Sequence, residues 1–242
     1  MTGLIIPAAG QGKRLGAKKP KQFLKISKIP LLIFTLQKFI KCPEIDFIII
    51  VTSKSFISEV EKLIKNFKIP KVYAIVEGGK TRQQSVFSGL KACPDKTKLV
   101  FVHDAVRPFV PAKLITRLRK AISYFDGVIP VVPVRDALAK VLDRKVEKHI
   151  PREKLYHIQT PQLAKYTVLK SCLEKAEEKQ LDFPDESSLL TYFGHKIGIV
   201  KGSLLNFKIT YAEDFYLAET LINCKIEAVL ESEDKHGDSM DK

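Results

Sequence analysis

Residues 4–16 of the chain have the sequence LIIPAAGQGKRLG, a short apolar run that leads into a loop of small and basic residues. The branched run Leu4 to Ile6 predicts a strand buried on both faces, which is typical of a parallel sheet covered by helices. Open α/β sheets bind their ligands at the carboxyl ends of such strands. The loop that follows Ile6 is therefore the first candidate for a binding site.

Four further apolar runs repeat this pattern, at residues 47–51, 72–76, 99–102 and 128–132. Helical patterns lie between them, at roughly 31–41, 55–67, 81–92 and 111–125. Strands that alternate with helices predict right-handed crossovers and a three-layer α/β fold with a Rossmann-like, mostly parallel sheet. Two helix starts carry the signature of a capping box, Thr81-x-x-Gln84 and Thr210-x-x-Glu213.

The alternation breaks between Pro133 and Pro151, where residues 138–142 and 146–150 predict two short strands around a turn. We interpret residues 134–153 as a protruding β-hairpin arm. Because an isolated hairpin is marginally stable in water, we expect this arm to pack against a second subunit. Residues 1–230 are predicted to form one domain, and the charged residues 231–242 a disordered tail.

The chain has 242 residues, with 41 Lys and Arg against 27 Asp and Glu, and a formal net charge of +14. This composition is typical of a globular protein and excludes collagen-like and largely disordered classes. No apolar run is long enough to span a bilayer, and residues 1–7 lack the basic start of a secretory signal. We therefore expect a cytoplasmic protein.

The excess of positive charge leaves a nucleic-acid-binding protein as an alternative of another class. No helix-turn-helix pattern or RNA-binding aromatic strand supports it. The four cysteines lie far apart in the sequence, which excludes a zinc site with paired cysteines. The lysines are spread along the predicted helices, as expected for a solvated surface.

The glycines of the first loop fit neither the dinucleotide-binding fingerprint nor the Walker A motif, since the spacing differs from both. Basic residues follow Gly10 at short intervals: Lys13, Arg14, Lys18, Lys19 and Lys21. Free backbone N–H groups together with several cations are suited to neutralising a triphosphate.

Eight segments occur in an order that resembles the 2-C-methyl-D-erythritol 4-phosphate cytidylyltransferase family, a branch of the sugar-phosphate nucleotidyltransferases. They are PAAGxGxR (7–14), PKQF (20–23), GGxxRxxSV (78–86), HDAVRP (103–108), PVRD (133–136), TPQ (160–162), DE (185–186) and NxKxT (206–210). The resemblance spans residues 3 to about 222. Several ordered motifs are far more specific than a single glycine-rich loop.

The resemblance implies that a phosphate of methylerythritol phosphate attacks the α-phosphorus of CTP. Pyrophosphate leaves, and 4-diphosphocytidyl-2-C-methyl-D-erythritol forms in the non-mevalonate isoprenoid pathway. A phosphate monoester is already mostly ionised at neutral pH, so this reaction needs no histidine base and no activated serine. Fixed cations that stabilise the developing charge suffice.

The resemblance also assigns roles to individual residues. The catalytic residues would be Arg14, Lys21 and Lys208. The residues that bind CTP would be Ala8, Ala9, Gly10, Gly12, Arg14, Lys21, Gly79, Ser85 and Asp104. The residues that bind the acceptor would be Asp104, Arg107, Arg152, Thr160 and Lys208. Arg152, at the base of the arm, would act on the site of the neighbouring subunit, which implies a homodimer.

Mg²⁺ is the expected cofactor, with Asp104 as its candidate protein ligand and the nucleotide phosphates as its main ligands. His103 is interpreted as scaffolding, because this mechanism gives it no proton to move. Three positions depart from the family pattern: Ala137 and Pro184, where threonine is common, and Lys80, where aspartate is frequent.

Ribitol 5-phosphate cytidylyltransferase, a relative with the same nucleotide and reaction, remains the alternative. The stretch 150–162 does not separate the two acceptors.

Overall fold

The structure is a computed structural model that describes residues 1–10 and 19–224. The predicted site residues Gly12 and Arg14 and the predicted tail at 231–242 lie outside these described residues.

An eight-stranded sheet forms the centre of the fold. Its strands are β1 (Thr2–Pro7), β4 (Phe47–Thr52), β5 (Val72–Glu77), β6 (Leu99–Val102), β7 (Gly127–Pro133), β10 (Tyr156–Ile158), β11 (Gln162–Lys165) and β12 (Ile197–Lys201). The order is β10-β7-β11-β6-β1-β4-β5, with β12 also paired to β7. β10 and β11 run antiparallel to their neighbours, and the other pairs are parallel. The predicted mostly parallel sheet is confirmed.

Helices cover both faces of this sheet. They are α1 (Leu31–Gln37), α2 (Ile57–Asn66), α3 (Arg82–Lys91), α4 (Ala112–Ala121), α5 (Tyr166–Glu178) and α6 (Glu186–Tyr192). A seventh helix, α7 (Ala212–Asn223), packs instead against Ile26 and side chains of α1. Side chains of α1, α2 and α4 pack with Leu4 and Ile6 on one face. Side chains of α3, α5 and α6 pack with Ile5 on the other face. This alternation along β1 gives the predicted three layers.

The sequence prediction missed three of the strands. β10, β11 and β12 are short, and only β12 resembles the apolar runs that signalled the others. A cis peptide bond between Thr160 and Pro161 separates β10 from β11. Both strands pair with β7 in the antiparallel sense, so this part of the sheet is antiparallel.

Two hairpins lie outside the main sheet, the small β2 (Lys25–Ile26) with β3 (Ile29–Pro30), and β8 (Leu138–Leu142) with β9 (Lys145–Ile150). The second is the predicted arm. Its turn residues Asp143 and Arg144 have φ of 49° and 63°, the left-handed conformation of a tight hairpin turn. Nearly all of its residues are exposed, so nothing in its own chain covers it within the described residues.

The capping box predicted at Thr81 and Gln84 is confirmed at the start of α3. The one predicted at Thr210 and Glu213 is wrong by one residue. The carboxylate of Asp214 accepts hydrogen bonds from the backbone N–H groups of Thr210 at 2.7 Å and Tyr211 at 2.8 Å. The spacing rule failed because α7 begins one residue later than the threonine suggested.

No helix within residues 1–10 and 19–224 combines the length and the apolar character that crossing a bilayer would require.

Helix α3 lies unusually close to the sheet at Gly89. A Cβ atom at this position would lie 2.7 Å from Cγ2 of Ile5 and 2.8 Å from Cγ2 of Val51. Real Cβ atoms do not approach carbon this closely, so a side chain here would push the helix away from β1 and β4. Because α3 starts at the candidate site, its distance from the sheet also sets the position of that site.

We therefore expect Gly89→Ala to destabilise the fold. Alanine favours a helix by about 1 kcal/mol over glycine, but overpacking costs about 1–3 kcal/mol. The expected net loss in the free energy of unfolding is about 1 kcal/mol, measured by urea denaturation. Ser88→Ala, on the neighbouring position of the same helix, is the control and should stay within about 0.5 kcal/mol of wild type. A more stable Gly89→Ala chain would show that the helix can move away without cost.

Candidate active site

A cavity of about 380 Å³ opens at the carboxyl ends of β1 and β6. Its described lining residues are Pro7, Ala8, Ala9, Gly10, Lys21, Gln22, Gly79, Lys80, Thr81, Arg82, Ser85, Asp104, Ala105, Val106 and Lys208. Most residues that the resemblance assigned to CTP therefore lie together, although they come from distant parts of the chain. The position agrees with the general rule for open α/β sheets.

The loop after β1 is held by a side chain that the sequence analysis did not single out. Gln22 is 3% exposed, and its Nε2 donates to the carbonyl oxygens of Ala8 at 2.6 Å and Gly10 at 3.1 Å. One amide thus ties the small residues of the loop to the segment that carries Lys21. Only its place within the PKQF motif could have pointed to Gln22.

The turn before α3 has no room for side chains. A Cβ atom at Gly78 would lie 2.7 Å from Oγ of Ser85, and one at Gly79 would lie 2.3 Å from Cβ of Gln84. The hydroxyl of Ser85 donates to the carbonyl oxygen of Thr81 at 2.9 Å. The backbone at Gly79 therefore forms part of the cavity wall, where a flat ligand can approach the main chain.

Two lysines from opposite ends of the chain enter the same cavity. Lys21 Nζ donates to the carbonyl oxygen of Ile209 at 2.9 Å, and Lys208 Nζ donates to Oδ2 of Asp104 at 2.9 Å. The first bond fixes the segment before α7 against the segment after the first loop. Both ammonium groups are thereby placed at one wall of the cavity.

Asp104 follows β6, is 6% exposed and meets three cations. Its Oδ1 lies 3.3 Å from Nε of Arg82, and its Oδ2 lies 3.5 Å from Nε of Arg107 and 2.9 Å from Nζ of Lys208. Burial alone would raise the pKa of Asp104, but Arg82, Lys208 and Arg107 outweigh it and hold that pKa well below its usual range. The carboxylate is therefore ionised at any physiological pH.

Arg82, the first residue of α3, bridges two carboxylates. Its Nη1 and Nη2 donate to Oε1 and Oε2 of Glu186 at 2.7 and 3.1 Å. Burial by itself would lower the pKa of Arg82, but Glu186 and Asp104 raise it. Both residues occur in quoted motifs, yet their pairing could not be predicted, since they lie far apart in sequence and meet only because the folded chain brings the first residues of α3 and α6 together.

His103 acts as scaffolding, as the sequence indicated. It is fully buried, and burial, despite its hydrogen bonds, lowers the pKa of its imidazole to about 4. Nε2 lies 3.0 Å from the carbonyl oxygen of Arg107, so Nε2 carries the proton. Nδ1 then accepts from the hydroxyl of Thr160 at 3.0 Å, and that oxygen accepts the backbone N–H of Asp104 at 3.1 Å. This chain of bonds fixes the residues after β6.

Three residues assigned to the acceptor do not line the described cavity wall. Thr160 is 4% exposed, and its hydroxyl is used by His103 and Asp104. Arg107 lies behind Asp104 and donates from Nη1 to the carbonyl oxygen of Asn206 at 2.8 Å. Arg152 lies at the exposed base of the arm and donates to the carbonyl oxygen of Arg135.

Asp104 is poorly suited to bind a metal. Both of its oxygens already face cations, which repel a divalent ion and occupy its lone pairs. It is the one carboxylate among the described residues that line the cavity. The described part of the chain also holds no cluster of three or more His, Cys, Asp or Glu residues that could bind a metal.

Comparisons with known proteins agree with the motifs. The family model described as IspD, 2-C-methyl-D-erythritol 4-phosphate cytidylyltransferase, matches residues 2–224. A protein of that name from Halalkalibacterium halodurans is 38% identical over 219 residues, which cover 90% of this chain and 96% of the relative. One from Clostridium novyi is 36% identical over 90% of this chain and 95% of its own length.

Solved structures agree as well. The 4-diphosphocytidyl-2C-methyl-D-erythritol synthase of Anaerococcus prevotii has a TM-score of 0.80 at 29% identity, covering 92% of this chain and 96% of its own. The 2-C-methyl-D-erythritol 4-phosphate cytidylyltransferase of Thermus thermophilus has a TM-score of 0.75 at 32% identity, covering 91% and 98%. The family match over nearly the whole chain, together with these relatives, shows that the chain belongs to the 2-C-methyl-D-erythritol 4-phosphate cytidylyltransferase family.

Proposed function

We propose that CTP and 2-C-methyl-D-erythritol 4-phosphate react in the cavity lined by the first loop, Gly79, Asp104 and the two lysines. One observation carries this proposal: Lys21 and Lys208 line the same cavity as the small residues Ala8 to Gly10. The ammonium groups can neutralise a triphosphate, and the accessible backbone groups beside them can bind the base attached to it. The family resolves the choice of acceptor in favour of methylerythritol phosphate over ribitol phosphate, and it leaves the nucleic-acid alternative without support.

The chain contributes position and charge rather than proton transfer. An oxygen of the acceptor phosphate attacks the α-phosphorus of CTP, and the bond from this phosphorus to the bridging oxygen breaks. Pyrophosphate leaves with the electron pair of that bond. Lys21 and Lys208, together with Arg14, stabilise the negative charge on the α-phosphate and on the leaving group. His103 takes no part, since its buried ring is neutral and both its nitrogens have partners.

The wall at Ala8, Ala9, Gly79 and Ser85 would accommodate the cytosine. Gly79 and the two alanines leave the main chain accessible, so backbone groups can hydrogen-bond the base edge. Lys80 lines the cavity beside them, where the family frequently has aspartate. The base contacts in this chain would then come from the backbone rather than from a carboxylate.

Mg²⁺ would be bound mainly by the phosphates of the nucleotide and by water. Asp104 is better suited to holding Lys208, because its oxygens already face three cations. When bound, the ion would offset the charge of the triphosphate and its leaving group.

A homodimer formed through the arm would complete the acceptor site. The arm exposes Val141, Leu142 and Val146 by 59%, 61% and 58%, which favours burial against a second copy of the chain. Arg152 does not line the described cavity of its own chain, so it would contribute to the partner's site.

Cytoplasmic location is likewise proposed, and the free cysteines Cys42, Cys93, Cys172 and Cys224 fit a reducing compartment.

Lys21→Ala and Lys208→Ala should each lower kcat by about 10²- to 10³-fold, since each removes a cation that stabilises the transition state. Steady-state pyrophosphate release with CTP and methylerythritol phosphate measures the loss. Lys62→Ala, which removes an exposed lysine of α2, is the matched control and should retain the wild-type rate. Thermal melts should show all three variants folded. Near-normal turnover in a folded Lys21→Ala or Lys208→Ala chain would rule out the proposed role of that lysine.

Mixing two inactive variants tests the shared site. Arg152→Ala and Lys21→Ala chains are each expected to be inactive as homodimers. After random exchange of subunits, half of the dimers are mixed, and each holds one intact site, so about a quarter of wild-type activity should return. If the mixture stays inactive although mixed dimers form, each site is complete within one chain.

A further inference from the structure

Glu186 is a buried carboxylate that the proposed transfer does not use. It is the first residue of α6, is 4% exposed and does not line the described cavity wall. Both of its oxygens accept hydrogen bonds from the terminal nitrogens of Arg82, at 2.7 and 3.1 Å. Among the residues that the structure describes, the guanidinium of Arg82 is the one side chain that pairs with this carboxylate, which raises the question of what the pair does.

Arg82 reaches the site through its third nitrogen. Its Nε lies 3.3 Å from Oδ1 of Asp104, while its terminal nitrogens are occupied by Glu186. A guanidinium fork binds a carboxylate or a phosphate in the same bidentate manner. Without Glu186, the fork would be available to the triphosphate, because Arg82 lines the cavity.

The charges of the five linked side chains around Asp104 nearly cancel. Arg82, Arg107 and Lys208 are positive, and Asp104 and Glu186 are negative, which leaves a net charge of +1. Loss of the Glu186 charge would raise it to +2. The cavity would then attract anions more strongly. Arg82, however, would lose the partner that keeps it beside Asp104.

Three other hydrogen bonds tie the start of α3 to residues 181–183. The hydroxyl of Thr81 donates to Oδ1 of Asp182 at 2.8 Å. The amide of Gln83 donates to the carbonyl oxygen of Leu181 and accepts the backbone N–H of Phe183, both at 2.9 Å. The helix is therefore docked independently of the Arg82–Glu186 pair, so the pair is available for a role in the site.

We propose that Glu186 is a positioning residue for cytidylyl transfer. It keeps the fork of Arg82 away from the nucleotide phosphates and its Nε on Asp104, so that Asp104 holds Lys208 where the α-phosphate reacts. This inference rests on the proposed function of the cavity. It predicts that loss of Glu186 lowers kcat without weakening the binding of CTP.

The test compares Glu186→Gln with Asp182→Asn, which removes a carboxylate from the same segment without reaching Asp104. In Glu186→Gln, kcat should fall by about 10- to 100-fold. The Kd for CTP, measured by calorimetry on the same preparation, should be unchanged or lower. Asp182→Asn should keep both values within about 3-fold of wild type. A weaker Kd for CTP in proportion to the lost rate, or a wild-type kcat in Glu186→Gln, would overturn the proposal.

A second comparison shows whether Glu186 acts through Arg82. It can be made even if Glu186→Gln alone folds poorly. Arg82→Met leaves Glu186 buried without a partner, and adding Glu186→Gln removes that buried charge, so the double variant should melt above Arg82→Met. The two should have the same kcat within about 2-fold, because Glu186 has no arginine left to position. A further 10-fold loss in the double variant would overturn the proposal.

The two hypotheses fail in different ways. If the wild-type chain releases no pyrophosphate from CTP and methylerythritol phosphate, both the proposed function and this inference are wrong. If the wild type is active and Glu186→Gln equals it, only the inference is wrong.

Discussion

The site depends on the compensation of one buried carboxylate. Asp104 is ionised although it is 6% exposed, and a buried charge of this kind is costly unless it is paired. The cations that pair with it come from α3, from the turn after β6 and from the segment before α7. Satisfying this single charge therefore brings together elements that the chain order keeps apart, and Lys208 enters the cavity as part of that arrangement.

Polar groups around the cavity line it, hold the lining in place, or do both. Lys21, Lys208 and the backbone at Gly79 line it. Gln22 lines it as well and fixes the loop, while His103 with Thr160 fixes the strand end from behind, in each case through hydrogen bonds to backbone groups. Phosphoryl transfer requires little more of a protein than fixed charge and fixed position, so rigid support of a few cations is the appropriate design.

The sequence predicted the parts of the fold that local patterns determine. Branched apolar runs located five parallel strands, and Thr81 with Gln84 located the start of α3. The antiparallel strands β10 and β11 were missed, because they are short, form no apolar run and become strands only by pairing with β7, a tertiary contact that local patterns do not show. Motifs indicated most residues of the cavity. They could not indicate the pairing of Arg82 with Glu186, which arises only when the fold brings the first residues of α3 and α6 together.

The net charge of +14 takes on a different meaning in this fold. A few cations face small polyanionic substrates, and the others lie on the surface, where they at most assist capture. The most direct measurement is pyrophosphate release by the purified chain with CTP and either methylerythritol phosphate or ribitol 5-phosphate. The proposed function predicts turnover that is much faster with methylerythritol phosphate. Faster turnover with ribitol 5-phosphate, or none with either acceptor, would contradict it.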